Sequence, residues 1–168
     1  MNSADRRAAL AARLQEEHAP LPASVLASEF HVSRQVIVGD VALLRASGLE
    51  IQATPRGYVL GTGDAGVRAV LACIHSPEDM GRELNAMVDH GCEVLDVIVE
   101  HPVYGQLTGQ LHLRSRYDVA EFLKKAANAS PLSALTGGVH LHTVRCPDAD
   151  TLERVTRALR TEGFLLEE

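Results

Sequence analysis

The sequence predicts an α+β chain built in two parts, and three observations carry that reading. Apolar residues at helical spacing dominate as far as Gly48. Short alternating strand patterns interleave with helical stripes after Val67. Between the halves runs a glycine-rich seam, Gly61-Thr62-Gly63-Asp64-Ala65-Gly66, read as a linker. A length of 168 residues with 46% hydrophobic residues suffices for two small packed cores. The expected domains are residues 1–62 and 66–168.

In the first domain, Leu10, Ala11 and Leu14 repeat at helical spacing from Ala8 to Gln15, and Pro20 and Pro22 end the pattern. A second helix spans about Ala23 to Phe30, with Val25, Leu26 and Phe30 inward. The third begins at Ser33, a good N-cap. Val32 and Ile37 form a hydrophobic staple around it, Ile37, Val41 and Leu44 make the buried stripe, and Gly48 is the stop. Two strands, Ile51 to Thr54 and Tyr58 to Leu60, flank the turn Pro55-Arg56-Gly57. Three helices followed by a two-stranded ribbon make a winged helix-turn-helix.

The second domain starts with a strand from Val67 to His75. Ser76-Pro77-Glu78-Asp79 then reads as an N-cap with Pro at N1, opening a helix that buries Met80, Leu84, Met87 and Val88 and ends at Gly91. In the strand Glu93 to His101, Leu95, Val97, Val99 and His101 share one face, opposed by Val94, Asp96, Ile98 and Glu100. A strand from Leu107 to Arg114 follows, then a helix capped by Ser115 with Val119, Phe122, Leu123 and Ala126 inward. The strand Val139 to Arg145, a helix from Asp148 to Gly163 and a short strand Phe164 to Leu166 complete the order. This is a ferredoxin-like βαββαβ unit with an added αβ.

The net charge of -6 lies entirely after residue 62, since the first domain holds six arginines and six acids. That domain meets a polyanion only through a local basic face. No apolar run approaches the roughly 18 to 20 residues of a membrane span, and Arg6-Arg7 leads into an amphipathic helix rather than a signal peptide, so a soluble cytoplasmic protein is expected. Three widely spaced cysteines, Cys73, Cys92 and Cys146, form no CxxC, and buried reduced thiols are expected.

Ser33, Arg34 and Gln35 open the third helix, where a recognition helix meets base edges. Arg34 suits guanine O6 and N7, and Gln35 suits adenine N6 and N7. Val38, one turn on, suits a thymine methyl. Arg45 and the wing-tip Arg56 suit phosphates, or for the wing a minor groove. The competing reading is a helical bundle, or a winged helix used for protein contacts, but Val38 and Gly39 on a solvated face have little structural purpose.

His140 and His142 stand at i and i+2 of one strand, so both imidazoles point the same way and can converge on one ion. His75 ends the first strand of the domain, Glu83 lies two turns into the helix after it, and the split βαβ order allows both to meet the His140/His142 strand. Three histidines and a carboxylate fit zinc, nickel, cobalt or iron, not calcium or copper(I). A lone strand histidine is more often a hydrogen-bonded structural residue; two side by side are costly to bury unpaired. His112 shares a face with Gln110 and Arg114 and reads as solvated, and Cys73, two residues before His75, as a buried thiol within reach of the site. His101 and Tyr104 bracket Pro102-Val103. They either line a pocket for a small aromatic or acidic ligand, or Tyr104 packs on Pro102.

With these residues in view, the chain resembles the niacin-responsive repressor family of bacteria, a biotin-repressor-like winged helix followed by a "three-histidine" regulatory domain. The likeness rests on VSRQVIVGDVALLRASGLEIQATPRGYVL, on Glu83-Leu84, on EHPVYG at 100–105 and on PLSALTGGVHLHT at 131–143. It implies a homodimeric DNA-binding repressor, not an enzyme, with nicotinic acid as co-repressor, acting on genes of NAD biosynthesis or niacin uptake. It also implies nickel or zinc held at His75, Glu83, His140 and His142. One rival is a regulator with an ACT-like domain sensing an amino acid or another small ligand without metal. Metal-assisted hydrolysis lacks a general base beyond Glu83, and a biotin-ligase reading fits the first half only.

Overall fold

A computed structural model describes residues 1–61 and 66–167. Thr62 to Ala65, the centre of the expected linker, lie outside the described residues. Two compact units result, Met1–Asp64 and Ala65–Glu168.

The first unit packs α1 (Ser3–Glu16), α2 (Ala23–Glu29) and α3 (Arg34–Ala46) with the antiparallel hairpin β1 (Ile51–Thr54) and β2 (Gly57–Leu60). Leu10, Leu14, Leu26, Ile37, Val41 and Ile51 form its core, each contributing about 1.5–3 kcal/mol of burial. Asp40 is also buried, and it is tolerated because α1 brings guanidinium to it: Arg6 Nε and Nη2 donate to its two oxygens at 2.6 and 3.2 Å. Val25 does not turn inward; it is 47% exposed, because Leu26 and Ala27 take the core side of this two-turn helix. Gly57, at φ +135°, lets β2 lie against Leu21, whose backbone carbonyl carbon would be 2.3 Å from any Cβ there.

The second unit is a four-stranded antiparallel sheet carrying α4 (Met80–Asp89), α5 (Arg116–Ala126) and α6 (Ala149–Glu162). The strands are β3 (Val67–Ile74), β4 (Glu93–His101), β5 (Gly105–Leu113) and β6 (Val139–Cys146), in the order β3-β6-β4-β5. The α+β class is as expected. The outer pairs of a ferredoxin-like sheet are kept, while β6 and β4 form the central pair. Leu84, Met87, Val94, Leu111, Leu113, Val144, Val155 and Leu159 are buried between sheet and helices.

Several local expectations change. Ser76 makes no side-chain cap; Pro77–Asp79 form a 3-10 turn before α4. The β4 register shifts between Val94 and Asp96, and this bulge lets the adjacent Val94 and Leu95 both be buried. Phe164 to Leu166 is reduced to a bridge, with Leu165 opposite Cys73 and hydrogen bonds from Ile74 N to Phe164 O and Leu166 N to Ala72 O. Cys92 and Cys146 are not free thiols. The register Glu93↔Arg145 sets them opposite each other across β4 and β6, Cα atoms 4.4 Å apart, and their sulfurs form a disulfide. Cys73 alone stays free and buried. His112 is not solvated either: at φ +51° its ring turns into the protein, 8% exposed, with Nδ1 3.2 Å from Glu93 Oε1 and Nε2 3.2 Å from Gln110 Oε1.

Candidate metal centre and DNA-reading face

Alternation along β6 turns Val139, Leu141, Thr143 and Arg145 to one side and buries His140, His142, Val144 and Cys146 on the other. Pairing with β3 puts Cys73 opposite His140 and Leu71 opposite His142. His75 follows the end of β3. Its carbonyl crowds the turn before β6, where Gly138 sits at φ +96° and a Cβ would come within 2.5 Å of that oxygen. The amphipathic helix α4 lays Glu83, 1% exposed, over this end of the sheet beside Leu84 and Met87.

The four residues anticipated from the sequence meet. His75 Nε2 and His140 Nε2 lie 2.7 and 2.9 Å from Glu83 Oε2, and His142 Nε2 lies 2.8 Å from Oε1. Neighbouring rings stand edge-on, with centroids 4.8 Å apart for His75–His140 and for His140–His142, and Phe164 closes on His75 at 5.4 Å. Each Nδ1 faces a backbone carbonyl: His75 that of Ser76 at 2.7 Å, His140 that of Gly138 at 2.8 Å, His142 that of Asp96 at 2.7 Å. A carbonyl only accepts, so each Nδ1 carries the proton, and in the neutral ring Nε2 is a lone pair. Three lone pairs and a carboxylate thus converge with no donor among them. His75 Nε2, close as it is, makes no hydrogen bond of acceptable geometry with Glu83. A divalent cation or added protons resolves this arrangement, and imidazoles fixed through carbonyls are a common metal-ligand orientation. Burial opposes ionisation of Glu83, but attraction to His140, His142 and His75 when those rings carry a second proton outweighs that and holds the carboxyl well below the usual range. At His75 burial opposes the charged ring and Glu83 favours it, with a net upward shift.

Sequence reasoning missed Phe164 and the three anchoring carbonyls. Phe164 enters only because α6 and its Gly163 stop return the chain to β3, and backbone carbonyls carry no sequence signal. Cys73 does reach the site: its thiol and ligand atoms of Glu83 and His140 lie within 4.8 Å of one another. Burial, reinforced by the Glu83 charge, pushes that thiol up.

His101 and Tyr104 sit together at the β4–β5 turn; among the described residues no hydrogen bond or ring contact joins this pair to the histidine cluster. Their ring centroids are 5.0 Å apart and Tyr104 is 73% exposed. His101 Nδ1 accepts from Val103 N and Tyr104 N at 3.1 and 3.3 Å, which leaves the proton of the neutral ring on Nε2, the opposite tautomer to the cluster. A cleft of about 360 Å³ bordered by Cys92, Glu93, Arg114, Arg145 and Cys146 lies at the far end of β6.

In the first unit Ser33 Oγ accepts from Val36 N, so its hydroxyl caps α3. Arg34, Gln35 and Val38 are exposed on α3, and Arg34 forms no ion pair among the described residues. Arg45 is partly committed: Nε donates to Ile51 O at 2.8 Å and the guanidinium lies 5.8 Å from the Tyr58 ring centre. It ties α3 to the hairpin. Arg56 is half-buried at the turn between β1 and β2. No described helix is long and apolar enough to cross a membrane.

Comparison with known proteins agrees with this division. Residues 6–59 match an HTH domain and residues 68–168 the 3H domain. The chain is 48% identical over 157 residues to the probable transcription repressor NiaR of Thermotoga maritima, covering 92% of this chain and 90% of that one. It is 42% identical over 171 residues to the transcription repressor NadR of Bacillus subtilis, covering 98% and 95%. With an N-terminal helix-turn-helix reader and a C-terminal 3H domain, the chain belongs to the NiaR/NadR family of transcription repressors.

Proposed function

We propose that the chain represses genes of NAD biosynthesis or niacin uptake as a homodimer, with nicotinic acid as co-repressor sensed in a 3H domain that carries one divalent transition metal. The observation that carries this reading is the convergence of His75, His140 and His142 Nε2 on Glu83, each ring pre-set by a carbonyl on Nδ1. The residues fit a metal. All four donors are nitrogen or oxygen of the kind nickel and zinc accept, their side chains are at most 4% exposed, and their lone pairs need a positive partner. A bound ion would supply that charge and a contact for an anionic pyridine carboxylate.

The chain's own groups do the rest. β6 and α4 hold the donors, Phe164 excludes water from His75, and His101 with Tyr104 offers an N–H donor and an aromatic face to the ligand. Because Ile98 stands opposite Leu141, strand alternation turns His101 to the same sheet face as His140. The opposite face exposes Val70 at 58% and Ile74 at 37%, apolar surface suited to a second copy. In the reader, Arg34, Gln35 and Val38 meet bases, Ser33 presets the helix N-terminus, and Arg45 and Arg56 approach phosphates beside the wing. Two such helices about 34 Å apart read successive turns of DNA.

Calorimetry of nicotinic acid binding, with the protein loaded with nickel or zinc and again after chelation, tests the sensor. Affinity should drop on chelation and in His140→Ala and His142→Ala; unchanged affinity removes the metal contact from the reading.

A further inference from the structure

We infer that Cys73 is a fifth protein ligand of the metal, giving a mixed nitrogen, oxygen and sulfur set rather than three histidines and a glutamate alone. The inference rests on the metal reading above and goes beyond it in the donor set and in the kind of ion it selects.

Three observations carry it. Cys73 lies directly opposite His140 in the β3–β6 register, so both side chains leave the same sheet face toward α4. Its thiol, a Glu83 oxygen and a His140 nitrogen lie within 4.8 Å of one another, a triangle that one ion spans with bonds of about 2.0 to 2.3 Å after small side-chain adjustment. The third is electrostatic. A divalent ion against Glu83 alone leaves one uncompensated positive charge among side chains at most 4% exposed, which is a costly arrangement. A Cys73 thiolate brings the count to zero. On binding, the S–H bond breaks, its proton leaves to the buffer, and the sulfur lone pair forms the bond to the metal. The bland alternative is a thiol that only fills core space beside Leu71 and Met87. Packing, however, gives no reason for the one free thiol to stand over His140.

A thiolate in the set favours zinc, cobalt or nickel over magnesium, calcium or manganese, which prefer oxygen donors. It also gives the site a spectroscopic mark that three imidazoles and a carboxylate lack. Cys92 and Cys146 do not confuse that mark: they are bonded to each other, and Cys146 lies six residues along β6 from His140, roughly 20 Å away.

The test is the absorption spectrum of the full chain loaded with cobalt(II), with the disulfide intact, for wild type, Cys73→Ser and Cys73→Ala. Wild type should show visible ligand-field bands together with an intense near-ultraviolet thiolate-to-cobalt band. Both variants should keep the visible bands and lose the near-ultraviolet one, with cobalt affinity at least about tenfold lower. A wild-type cobalt complex without the thiolate band overturns the inference and leaves the four-ligand site standing, as does a band that survives in Cys73→Ser. Absence of any cobalt bands in wild type overturns the metal reading itself. Because Cys73 is the sole free thiol of the oxidised chain, the wild-type spectrum decides the matter even if a variant fails to fold.

Discussion

Replacing Glu83 with glutamine should weaken the metal-bound protein yet leave the metal-free protein as stable as before, or more so, at alkaline pH. The carboxylate faces three Nε2 atoms at 2.7, 2.9 and 2.8 Å whose rings, when neutral, offer only lone pairs. A glutamine amide supplies two N–H donors to that cluster, each worth about 1 kcal/mol net. Protonation sets the window. The raised His75 contributes stability that is complete below its unfolded value, about 6.5, and fades as pH rises through its higher folded value. The lowered Glu83 contributes stability above its unfolded value, about 4.3, that is lost as pH falls from there through its lower folded value; because it depends on protonated rings, it also fades as they deprotonate. Above the folded value of His75, Glu83→Gln in chelator should therefore match wild type or exceed it by up to about 2 kcal/mol, roughly 4–8 °C in Tm. With metal at about a thousandfold excess over Kd, wild type gains about 4 kcal/mol and the variant much less. Thermal unfolding followed by circular dichroism, with and without chelator, reads both arms. If the variant is instead about 3–5 kcal/mol less stable than wild type in chelator at alkaline pH, the site is a buried ion-pair network with charged histidines. Equal stabilisation of both proteins by metal would remove Glu83 from the ligand set.

Arg34→Ala should cost about 1–3 kcal/mol of operator binding and relax preference at one base pair; an equal loss on specific and random DNA in a mobility-shift titration would make Arg34 a phosphate contact. Gly138→Ala places a Cβ 2.5 Å from the His75 carbonyl at a φ of +96°, so metal affinity by calorimetry should fall together with at least about 1 kcal/mol of stability. A neutral result would mean that His75 is not held by that turn. The disulfide closes a 54-residue separation, so reductant or Cys92→Ser should lower stability by about 4 kcal/mol on the chain-entropy view; urea unfolding alongside a thiol count checks it, and three titratable thiols in the native oxidised protein would refute the pairing.

Periodicity is legible wherever a segment has one buried face. The stripe Ile37, Val41, Leu44 and the alternation around His140 and His142 both appear as read, because burial on one side leaves its mark on every second, third or fourth residue. What depends on distant partners is not legible. His112 lies on a polar-looking strand face, yet its positive φ turns it to Glu93. Cys92 and Cys146 pair only because β6 enters between β3 and β4, and that strand order is a property of the whole sheet. Val25 follows the helical pattern loosely enough for either side, and Leu26 takes the core. Arg45 reads as a cation near a helix end, while its tie to the Ile51 carbonyl depends on where the hairpin returns. At the candidate metal centre the four converging side chains are legible from residue type and spacing; the carbonyls that fix their tautomers are not.

The central strand pair of the second unit is fastened unequally. At Cys146 a covalent bond joins β6 to the start of β4, whereas the His140 end is held by ladder pairing and by the contacts of His140 and His142 with Glu83. Ligand loss should therefore unzip β6 from one end only, with the stapled end as a fixed pivot. Amide exchange along Val139 to Cys146 would then show a gradient, with the largest change on chelation toward His140.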